Sequence, residues 1–257
     1  MTPSALFVLA LLATLAVLLV YGSLSVGDTT RVLQARLAQS NSEWQARFDI
    51  LAAQRLHLRR QLGALSCECR GIGFTGGFCL TKARPAVGGN ELWSPALANE
   101  LLFGLFNNHS LYDFGAGLGW YGKYFLAHGQ LTDYAAFDGA ENCAEVTNGF
   151  VQFLDLAETQ RMPRKDWVLS LEVGEHIPRE YETIFLDNLA AHNQLGIVLS
   201  WAVDKGGHFH VNERSNEYIK EQFALRGYTS DDVTASRLRR VAEQDWFKRT
   251  IMVFRRP

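Results

Sequence analysis

Apolar and polar residues are arranged differently in the two parts of the chain. Residues 5–21 form an uncharged run of 17 residues in which Thr14 is the one polar side chain. A helix of this length is close to the shortest that spans the hydrocarbon core of a bilayer. The pattern therefore predicts an N-terminal transmembrane anchor within residues 1–27. A cleaved signal peptide is the alternative, although the apolar run is long for one and no Lys or Arg precedes it.

A seven-residue apolar repeat follows in residues 28–66, which contain little Gly or Pro. The repeat predicts a helical stalk. Its second apolar column is half polar, with Asn41 and Arg55 beside Phe48 and Leu62, which weakens a two-chain coiled coil. A homodimeric coiled coil and a single amphipathic helix lying on the body or on lipid therefore both remain open. The fully apolar column is Leu37, Trp44, Leu51, Leu58 and Leu65.

The remaining chain predicts a loop or lid followed by an α/β domain. Residues 67–93 are rich in Cys and Gly and break all periodicity. Ser94 and Pro95 then suit a helix start, with Ser as the N-cap and Pro as the first helical residue. Short apolar runs alternate with helical patterns through residues 94–257, which predicts a doubly wound, mostly parallel sheet. The predicted strands are residues 111–114, 134–137, 151–154, 167–171 and 196–201, with residues 251–256 as the last strand.

Composition and charge narrow the function classes. The chain has 257 residues, of which 47% are apolar and 20% charged, so it can bury one sizeable core. Its 25 Lys and Arg against 27 Asp and Glu leave a net charge of -2, which lacks the basic excess of a nucleic-acid-binding protein. We therefore expect no nucleic-acid partner.

The segment "LYDFGAGLGWYG", residues 111–122, fits two cofactor-binding patterns. Gly117, Gly119 and Gly122 match the dinucleotide pattern, whereas Asp113 with Gly115, Gly117 and Gly119 matches the loop used for other nucleoside cofactors. In both patterns the glycines allow a tight turn into a helix whose N-terminus faces the ligand. A carboxylate inside the strand end, at Asp113, disfavours a pyrophosphate and tolerates a cationic cofactor.

Further acidic residues follow the next predicted strands. Asp138 ends the second strand and suits the ribose hydroxyls of a nucleoside, which does not separate NAD from S-adenosylmethionine. Asp155 ends the third strand, where a turn residue is the simpler interpretation and a contact with adenine the functional one. Glu172, Glu175 and His176 follow the fourth strand in "DWVLSLEVGEHIP".

This succession of motifs resembles the class I S-adenosylmethionine-dependent methyltransferases over residues 91–257. The resemblance implies a seven-stranded sheet with an antiparallel last strand, in a membrane-anchored member of that family. It also implies that Gly115, Gly117 and Gly119 face the methionine part of the cofactor and that Asp113 supports the loop. Asp138 would hold the ribose, Asp155 and Leu156 would flank adenine, and Glu172 would lie near the sulfonium. An NAD(P)-dependent oxidoreductase and a catalytically silent binding protein remain the alternatives.

Methyl transfer needs alignment and exclusion of water rather than a nucleophilic side chain. His176 and His210 are the catalytic candidates, with His208 nearby, because imidazole titrates in a range suited to a general base. For His176, the N-terminal cap of the next helix is the simpler alternative. We also expect Asn212 to reach the acceptor. We predict no metal, since no Cys or third His lies close to His208 and His210 in sequence. The acceptor, a glycan, lipid or protein, is not encoded in any motif.

The direction of membrane insertion depends on two opposing signals. Arg31 and Arg36 follow the apolar run, which favours a cytosolic body by the positive-inside rule. The sequon at Asn108 favours an oxidising lumen of the endoplasmic reticulum or Golgi, as does an even number of cysteines, although buried thiols would equally explain the latter. We expect a single-pass protein with a luminal body. The cysteines are Cys67, Cys69, Cys79 and Cys143.

Overall fold

The computed structural model describes residues 26–73, 75–77, 79–80, 93–203 and 207–257, together with residues 13 and 17. The chain divides into two compact units, Met1–Arg59 and Arg60–Pro257. Apart from residues 13 and 17, the predicted anchor at residues 5–21 lies outside the described residues. Among the helices that the structure describes, none combines the length and the apolar character needed to cross a bilayer.

A single helix, α1, runs from Val26 to Arg70 and confirms the helix predicted for residues 28–66. Its repeat of apolar side chains is exposed in the single chain. A coiled coil would bury these side chains against a second copy, and the coiled coil stays a prediction. The exposed apolar residues of the repeat are Leu37, Trp44, Phe48, Leu51, Leu58, Leu62 and Leu65.

Seven strands form one sheet in the order β3-β2-β1-β4-β5-β7-β6. Strands β1 to β5 pair in parallel, whereas β7 pairs antiparallel with both β5 and β6. This confirms the predicted mostly parallel α/β sheet with an antiparallel last strand. The strands are β1 Ser110–Phe114, β2 Asp133–Asp138, β3 Val151–Phe153, β4 Lys165–Leu171, β5 Asn193–Ser200, β6 Thr229–Ser230 and β7 Met252–Arg255.

Helices cover both faces of this sheet. They are α2 Pro95–Leu101, α3 Trp120–His128, α4 Cys143–Val146, α5 Glu182–Ala191, α6 Asn216–Ala224, α7 Asp232–Val241 and α8 Phe247–Thr250. A π-helical turn, Leu102–Phe106, extends α2, and two 3₁₀ turns, Gly174–His176 and Arg179–Tyr181, lie between β4 and α5.

The central strands are apolar on both faces because each face is covered by helices. On β4, Trp167 and Leu169 pack into the cluster that holds α2, α3 and α7, whereas Val168 points into the cluster under α5 and α6. Parallel strands buried on both faces are near-continuous apolar runs, and this is why the sequence pattern located them.

The start of α2 differs from the prediction in one detail. Ser94 occupies the N-cap position and Pro95 the first helical position, as expected, but the Ser94 hydroxyl does not cap its own helix. It accepts a hydrogen bond of 3.2 Å from the backbone N–H of Glu243, which precedes α8. The side chain therefore links two segments that are far apart in sequence.

The cysteines of the described chain are in different states. Cys79 is disulfide-bonded, whereas Cys69 is an exposed free thiol and Cys143 a buried one. Burial raises the pKa of the Cys143 thiol to about 12, so it packs as a small apolar residue.

The strand order reverses between β1 and β4, because the chain passes from β1 outward to β2 and β3 and then returns beside β1. In open α/β sheets, ligands bind at the carboxyl ends of the strands at such a reversal. The residues that follow β1, β2, β3 and β4 are therefore the place to look for a functional site.

Candidate functional site

The glycine loop after β1 has a backbone that requires its glycines. Gly115, Gly117 and Gly119 have φ angles of 81°, 56° and 74°, in the left-handed region that other residues avoid. A side chain at Gly115 would overlap Val173, which follows β4. Gly119 forms the N-cap of α3, and no side chain caps this helix end. The N-terminus of α3 is therefore a suitable place for an anionic group of a ligand.

Asp138, the last residue of β2, joins the glycine loop to the turn that follows β2. Its Oδ2 accepts a hydrogen bond of 2.8 Å from Gly117 N–H, and its Oδ1 accepts one of 2.8 Å from Ala140 N–H. Burial raises the pKa of Asp138, while these two N–H groups act against that increase. Each carboxylate oxygen can accept a second hydrogen bond, so the side chain can hold the loop and still accept from a ligand hydroxyl.

Asp113 lies beneath the loop, in β1, and is 5% exposed. The Tyr134 hydroxyl, on β2, donates a hydrogen bond of 3.0 Å to its Oδ2. Burial raises the pKa of Asp113 to about 7; the Tyr134 hydrogen bond lowers it, and the nearby negative charge of Asp138 raises it. The loop therefore lies on a carboxyl group that is costly to ionise. The Tyr134 phenol holds this carboxyl group in place.

Asp155, after β3, is buried within a turn. Its Oδ1 accepts from Ala157 N–H at 2.9 Å, as a turn residue does, and its Oδ2 accepts from the Thr75 hydroxyl at 3.1 Å. Thr75 belongs to the Gly-rich segment that follows α1. This places part of that segment at the end of β3, where the sequence analysis expects adenine.

The same segment packs closely on two other strand ends. Side chains at Gly76 and Gly77 would overlap the backbone of His176 and Gly139, respectively. Residues 75–77 therefore lie across the ends of β2, β3 and β4, in contact with backbone that a ligand at this edge would also approach.

Leu156 differs from the other predicted cofactor residues in its surroundings. It is 3% exposed and packs in the cluster that contains Phe185, Leu186 and Leu189 of α5. The amide of Asn188 donates to its carbonyl at 3.0 Å. The structure thus places Leu156 in the core beside Asp155, and its contact with adenine stays a prediction.

Two glutamates follow β4 at the same edge. Glu172 has a φ of 54°, its N–H donates to Ser200 Oγ at 2.9 Å, and its Oε1 lies 3.3 Å from Thr250 Oγ1. Glu175 is fully buried. Burial and the negative charge of Glu172 raise the pKa of Glu175 well above its usual range. The positive φ of Glu172 is a strained conformation of the kind that is common at functional sites.

His176 and His210 lie together, although 33 residues separate them in the chain. Their ring centroids are 4.9 Å apart. Burial lowers the pKa of both imidazoles, that of His176 to about 4, so both rings are neutral at neutral pH. His208 is exposed and lies outside this group. The structure thus pairs His210 with His176 rather than with His208.

The expectation for Asn212 is wrong. Asn212 is fully buried, its side-chain amide N–H donates to Glu182 Oε2 at 2.9 Å, and its backbone carbonyl accepts from Trp201 Nε1 at 2.6 Å. Arg214 donates to the same Glu182 oxygen at 2.6 Å. These contacts fix the segment that carries His210 to β5 and α5, so Asn212 positions the site and does not reach an acceptor.

Tyr134, Thr75 and Glu182 are the residues of this site that the sequence analysis missed. Each hydrogen-bonds to a partner that is distant in sequence: the Tyr134 phenol to Asp113, the Thr75 hydroxyl to Asp155, and the Glu182 carboxylate to Asn212. The one signal available beforehand was for Tyr134, whose side chain stands beside the glycine-loop strand once β1 and β2 are paired in parallel.

Comparisons with known proteins give low similarity. No protein-family model matches the chain, and no curated protein matches it. Among solved structures, the chain is similar to the magnesium protoporphyrin IX methyltransferase of Synechocystis PCC 6803, solved with bound S-adenosylhomocysteine, at 18% identity and a TM-score of 0.47, over 63% of this chain and 80% of that one.

Two other solved structures show the range of this similarity. The N-methyltransferase NodS of Bradyrhizobium japonicum WM9, in complex with S-adenosylhomocysteine, has 14% identity and a TM-score of 0.44, over 62% of this chain and 84% of that one. The [4+2]-cyclase SpnF has 10% identity and a TM-score of 0.48, over 77% of this chain and 96% of that one. At these values neither reaction nor ligand transfers to this chain, and its function follows from its own residues.

Replacing Gly115 tests the close packing of the glycine loop. Gly115→Ala and Gly227→Ala both place a side chain at a positive φ, 81° and 85°, but the new methyl group meets Val173 only at Gly115 and open space at Gly227. We expect Gly115→Ala to lower the free energy of unfolding by about 1–3 kcal/mol more than Gly227→Ala does, because only Gly115 is overpacked. Urea denaturation measures both, and equal losses would contradict the contact with Val173.

The pH dependence of stability tests the burial of Asp113. Its pKa is about 7 in the folded protein against an ordinary value of 3.8. The stability that Asp113 contributes is therefore fully present below about pH 4 and is lost as the pH rises towards about 7. We expect the unfolding free energy of the wild type to fall by up to about 4 kcal/mol relative to Asp113→Asn over this range. Urea titrations at several pH values measure this difference, and parallel curves would show that Asp113 is not buried as described.

Proposed function

We propose that the chain is an S-adenosylmethionine-dependent methyltransferase. The main support for this proposal is a glycine loop with positive φ angles that lies in contact with acidic side chains. Asp138 binds the loop, Asp113 is buried beneath it, and the negative charge of Asp138 adds to the cost of ionising Asp113. A cofactor with a sulfonium and an ammonium group would gain from this environment, whereas a pyrophosphate would add two more negative charges to it.

Each part of such a cofactor would have its own group of residues. The glycine loop and the uncapped N-terminus of α3 would receive the methionine part, with its carboxylate on the helix end. Asp138 would accept hydrogen bonds from the ribose hydroxyls with its remaining lone pairs. Asp155, which accepts a hydrogen bond from Thr75, and Leu156 would border adenine, and Glu172 would lie towards the sulfonium.

The reaction requires the acceptor to be aligned with the methyl group and requires no covalent intermediate with the protein. S-adenosylmethionine supplies an activated methyl group on a sulfonium. A lone pair of the acceptor forms the new bond to carbon while the carbon–sulfur bond breaks and its electrons remain on sulfur, which leaves S-adenosylhomocysteine. The chain has to hold the acceptor atom about 3 Å from the methyl carbon and exclude water.

His176 and His210 are the groups that would meet the acceptor. Both imidazoles are neutral at neutral pH, because burial lowers the pKa of each. A neutral imidazole offers a lone pair, which can accept the proton of the acceptor or bind a cation. We propose a glycan, a lipid or a protein as the acceptor. This proposal is based on the location of the protein and not on any contact in the site.

The location is part of the proposal. We propose that residues 5–21 anchor the protein, single-pass, with its body in an oxidising lumen. The uncharged run of these residues, the disulfide at Cys79 and the exposed Asn108 of the sequon support this. The exposed apolar repeat of α1 would then pair with a second copy of the chain to give a homodimer.

An NAD(P)-dependent oxidoreductase is the second candidate, on the strength of Gly117, Gly119 and Gly122. A side chain at Gly122 would overlap the Tyr134 hydroxyl, so this glycine is already required by packing against β2. Packing therefore already accounts for the one glycine that distinguishes the dinucleotide pattern.

Calorimetric titration of the full chain with S-adenosylmethionine, and separately with NAD, tests the proposal. We expect one equivalent of S-adenosylmethionine to bind and NAD not to bind. Asp138→Ala should weaken binding at least about tenfold, because it removes the acceptor for the ribose hydroxyls and loosens the loop at Gly117.

The matched control is Asp245→Ala, which removes an exposed carboxylate in the segment before α8. It should bind S-adenosylmethionine as the wild type does. Unfolding curves of both variants show whether a loss of binding reflects a loss of fold. Wild-type affinity in a folded Asp138→Ala protein would contradict the role of Asp138, and tight binding of NAD alone would overturn the methyltransferase.

A further inference from the structure

Three potential metal ligands meet beside the candidate acceptor site, although they come from two distant segments. Glu175 and His176 lie in the 3₁₀ turn after β4, and His210 lies in the segment after β5. One ligand atom of each lies within 4.8 Å of those of the other two. A divalent ion bound at about 2.1 Å to three atoms holds them about 3–4 Å apart, so small side-chain movements suffice to close this group around an ion.

Glu175 is the member that points most clearly to a missing ligand. It is fully buried, its carboxylate oxygens make no hydrogen bond of good geometry within the described residues, and the polar groups nearest to them are the carboxyl group of Glu172 and the backbone of Ala202. By contrast, the buried carboxylates of Asp113, Asp155 and Glu182 each accept at least one hydrogen bond. Burying a carboxyl group without a partner is costly, and a bound cation removes that cost.

The two histidines present their rings in fixed orientations. His176 Nδ1 donates to the carbonyl of Phe209 at 3.2 Å, and this hydrogen bond orients the ring. His210 lies so close to Gly207 that any side chain there would overlap its ring. Its Nδ1 is buried without a hydrogen bond and lies 3.8 Å from Glu213 Oε1. Metal-binding histidines commonly have such a carbonyl or carboxylate beside the second ring nitrogen.

Backbone hydrogen bonds join the two segments directly at the ligands. The carbonyl of Glu175 accepts from Val211 N–H and Asn212 N–H, both at 2.9 Å. Together with the contacts of Asn212 to Trp201 and Glu182, these bonds fix the distance between the 3₁₀ turn and His210. The group is therefore held by the fold and does not arise from mobile surface side chains.

From this geometry we infer that Glu175, His176 and His210 bind one divalent transition-metal ion. Two imidazoles and one carboxylate suit ions such as Mn²⁺, Fe²⁺, Co²⁺ and Zn²⁺, whereas Mg²⁺ and Ca²⁺ prefer sites built from oxygen. Three protein ligands leave further coordination positions open for water or for a substrate oxygen.

The place of the ion indicates its use, and this part rests on the proposed methyl transfer. Glu175 lies three residues after Glu172, which would adjoin the sulfonium, so the ion would lie at the acceptor end of the site. There it would bind an acceptor hydroxyl and lower the pKa of that hydroxyl, whose proton would pass to water. An oxygen acceptor, rather than a nitrogen or carbon acceptor, follows from this arrangement.

The test uses the full chain stripped of metal with a chelator and titrated calorimetrically with MnCl₂, CoCl₂, ZnCl₂ or MgCl₂. We expect one site per chain for the transition-metal ions, binding at least about tenfold more tightly than Mg²⁺. The thermal midpoint of unfolding should rise with each bound ion, because the ligand group exists only in the folded chain. Absence of binding by all three transition-metal ions would overturn the inference.

Variants decide which residues bind. Glu175→Gln and His210→Ala should each lose at least about tenfold in affinity and most of the thermal shift, since each removes one of three ligands. Without metal, Glu175→Gln should be at least as stable as the wild type, because a neutral amide is cheaper to bury than an unpaired carboxyl group. His128→Ala, which removes an exposed histidine at the end of α3, is the matched control and should bind the ion as the wild type does. An unchanged Glu175→Gln protein, or an equal loss in His128→Ala, would overturn the site.

The metal-stripped protein is also titrated with S-adenosylmethionine. Metal binding without cofactor binding would support the ion site and overturn the proposed methyl transfer. Cofactor binding without metal binding would support the methyl transfer and overturn the ion site. The two proposals therefore fail separately.

Discussion

The candidate site depends on the carboxylate of Asp138. It ends β2 and holds the glycine loop that ends β1 through Gly117 N–H, while its other oxygen holds Ala140 N–H. The loop is also held by its backbone, because Gly115 N–H and Ala116 N–H both donate to the carbonyl of Phe137 on β2. The charge-assisted hydrogen bond from Gly117 N–H to Asp138 adds a side-chain contact at the centre of the loop. The conformation of the glycine loop therefore depends on the end of β2, and Asp138 supplies the side-chain part of that support.

Several buried carboxyl groups lie at this edge of the sheet, although their burial does not stabilise the fold. Asp113 lies near Asp138, Glu172 and Glu175 lie together after β4, and burial raises the pKa of each of these carboxyl groups. Burying several carboxyl groups at one edge costs free energy, which the folded chain tolerates at sites where a ligand compensates it. A cationic cofactor beside Asp113 and Asp138, and a metal ion at Glu175, would each lower that cost at a different part of the edge.

The scaffold keeps these two parts in a fixed relation. The glycine loop follows β1, and the proposed metal ligands Glu175, His176 and His210 follow β4 and β5. These three strands are neighbours in the centre of the sheet. A side chain at Gly115 would overlap Val173, two residues before Glu175, so the loop and the 3₁₀ turn already touch. In the proposed methyl transfer, the cofactor on the glycine loop and the acceptor beside the 3₁₀ turn would therefore lie on segments that are already in contact.

Most of the sheet could be predicted from the sequence, because central parallel strands are apolar runs bounded by polar or Gly-containing turns. Strand ends were less certain: β5 begins at Asn193 rather than at 196, since polar Asn193 is buried by hydrogen bonds to α5 that no pattern reveals. The glycine loop was predictable because its residues are adjacent in sequence. The contact of Glu175 and His176 with His210 was not, because it depends on how the segment after β5 folds back over β4.

A crystal structure of the full chain with bound S-adenosylhomocysteine tests the central claim most directly. The account predicts that the ribose hydroxyls lie within hydrogen-bond distance of Asp138, that the amino-acid part lies on the glycine loop, and that the Asp138–Gly117 hydrogen bond persists. A ligand bound away from the ends of β1 and β2, or a glycine loop that rearranges without Asp138, would contradict it.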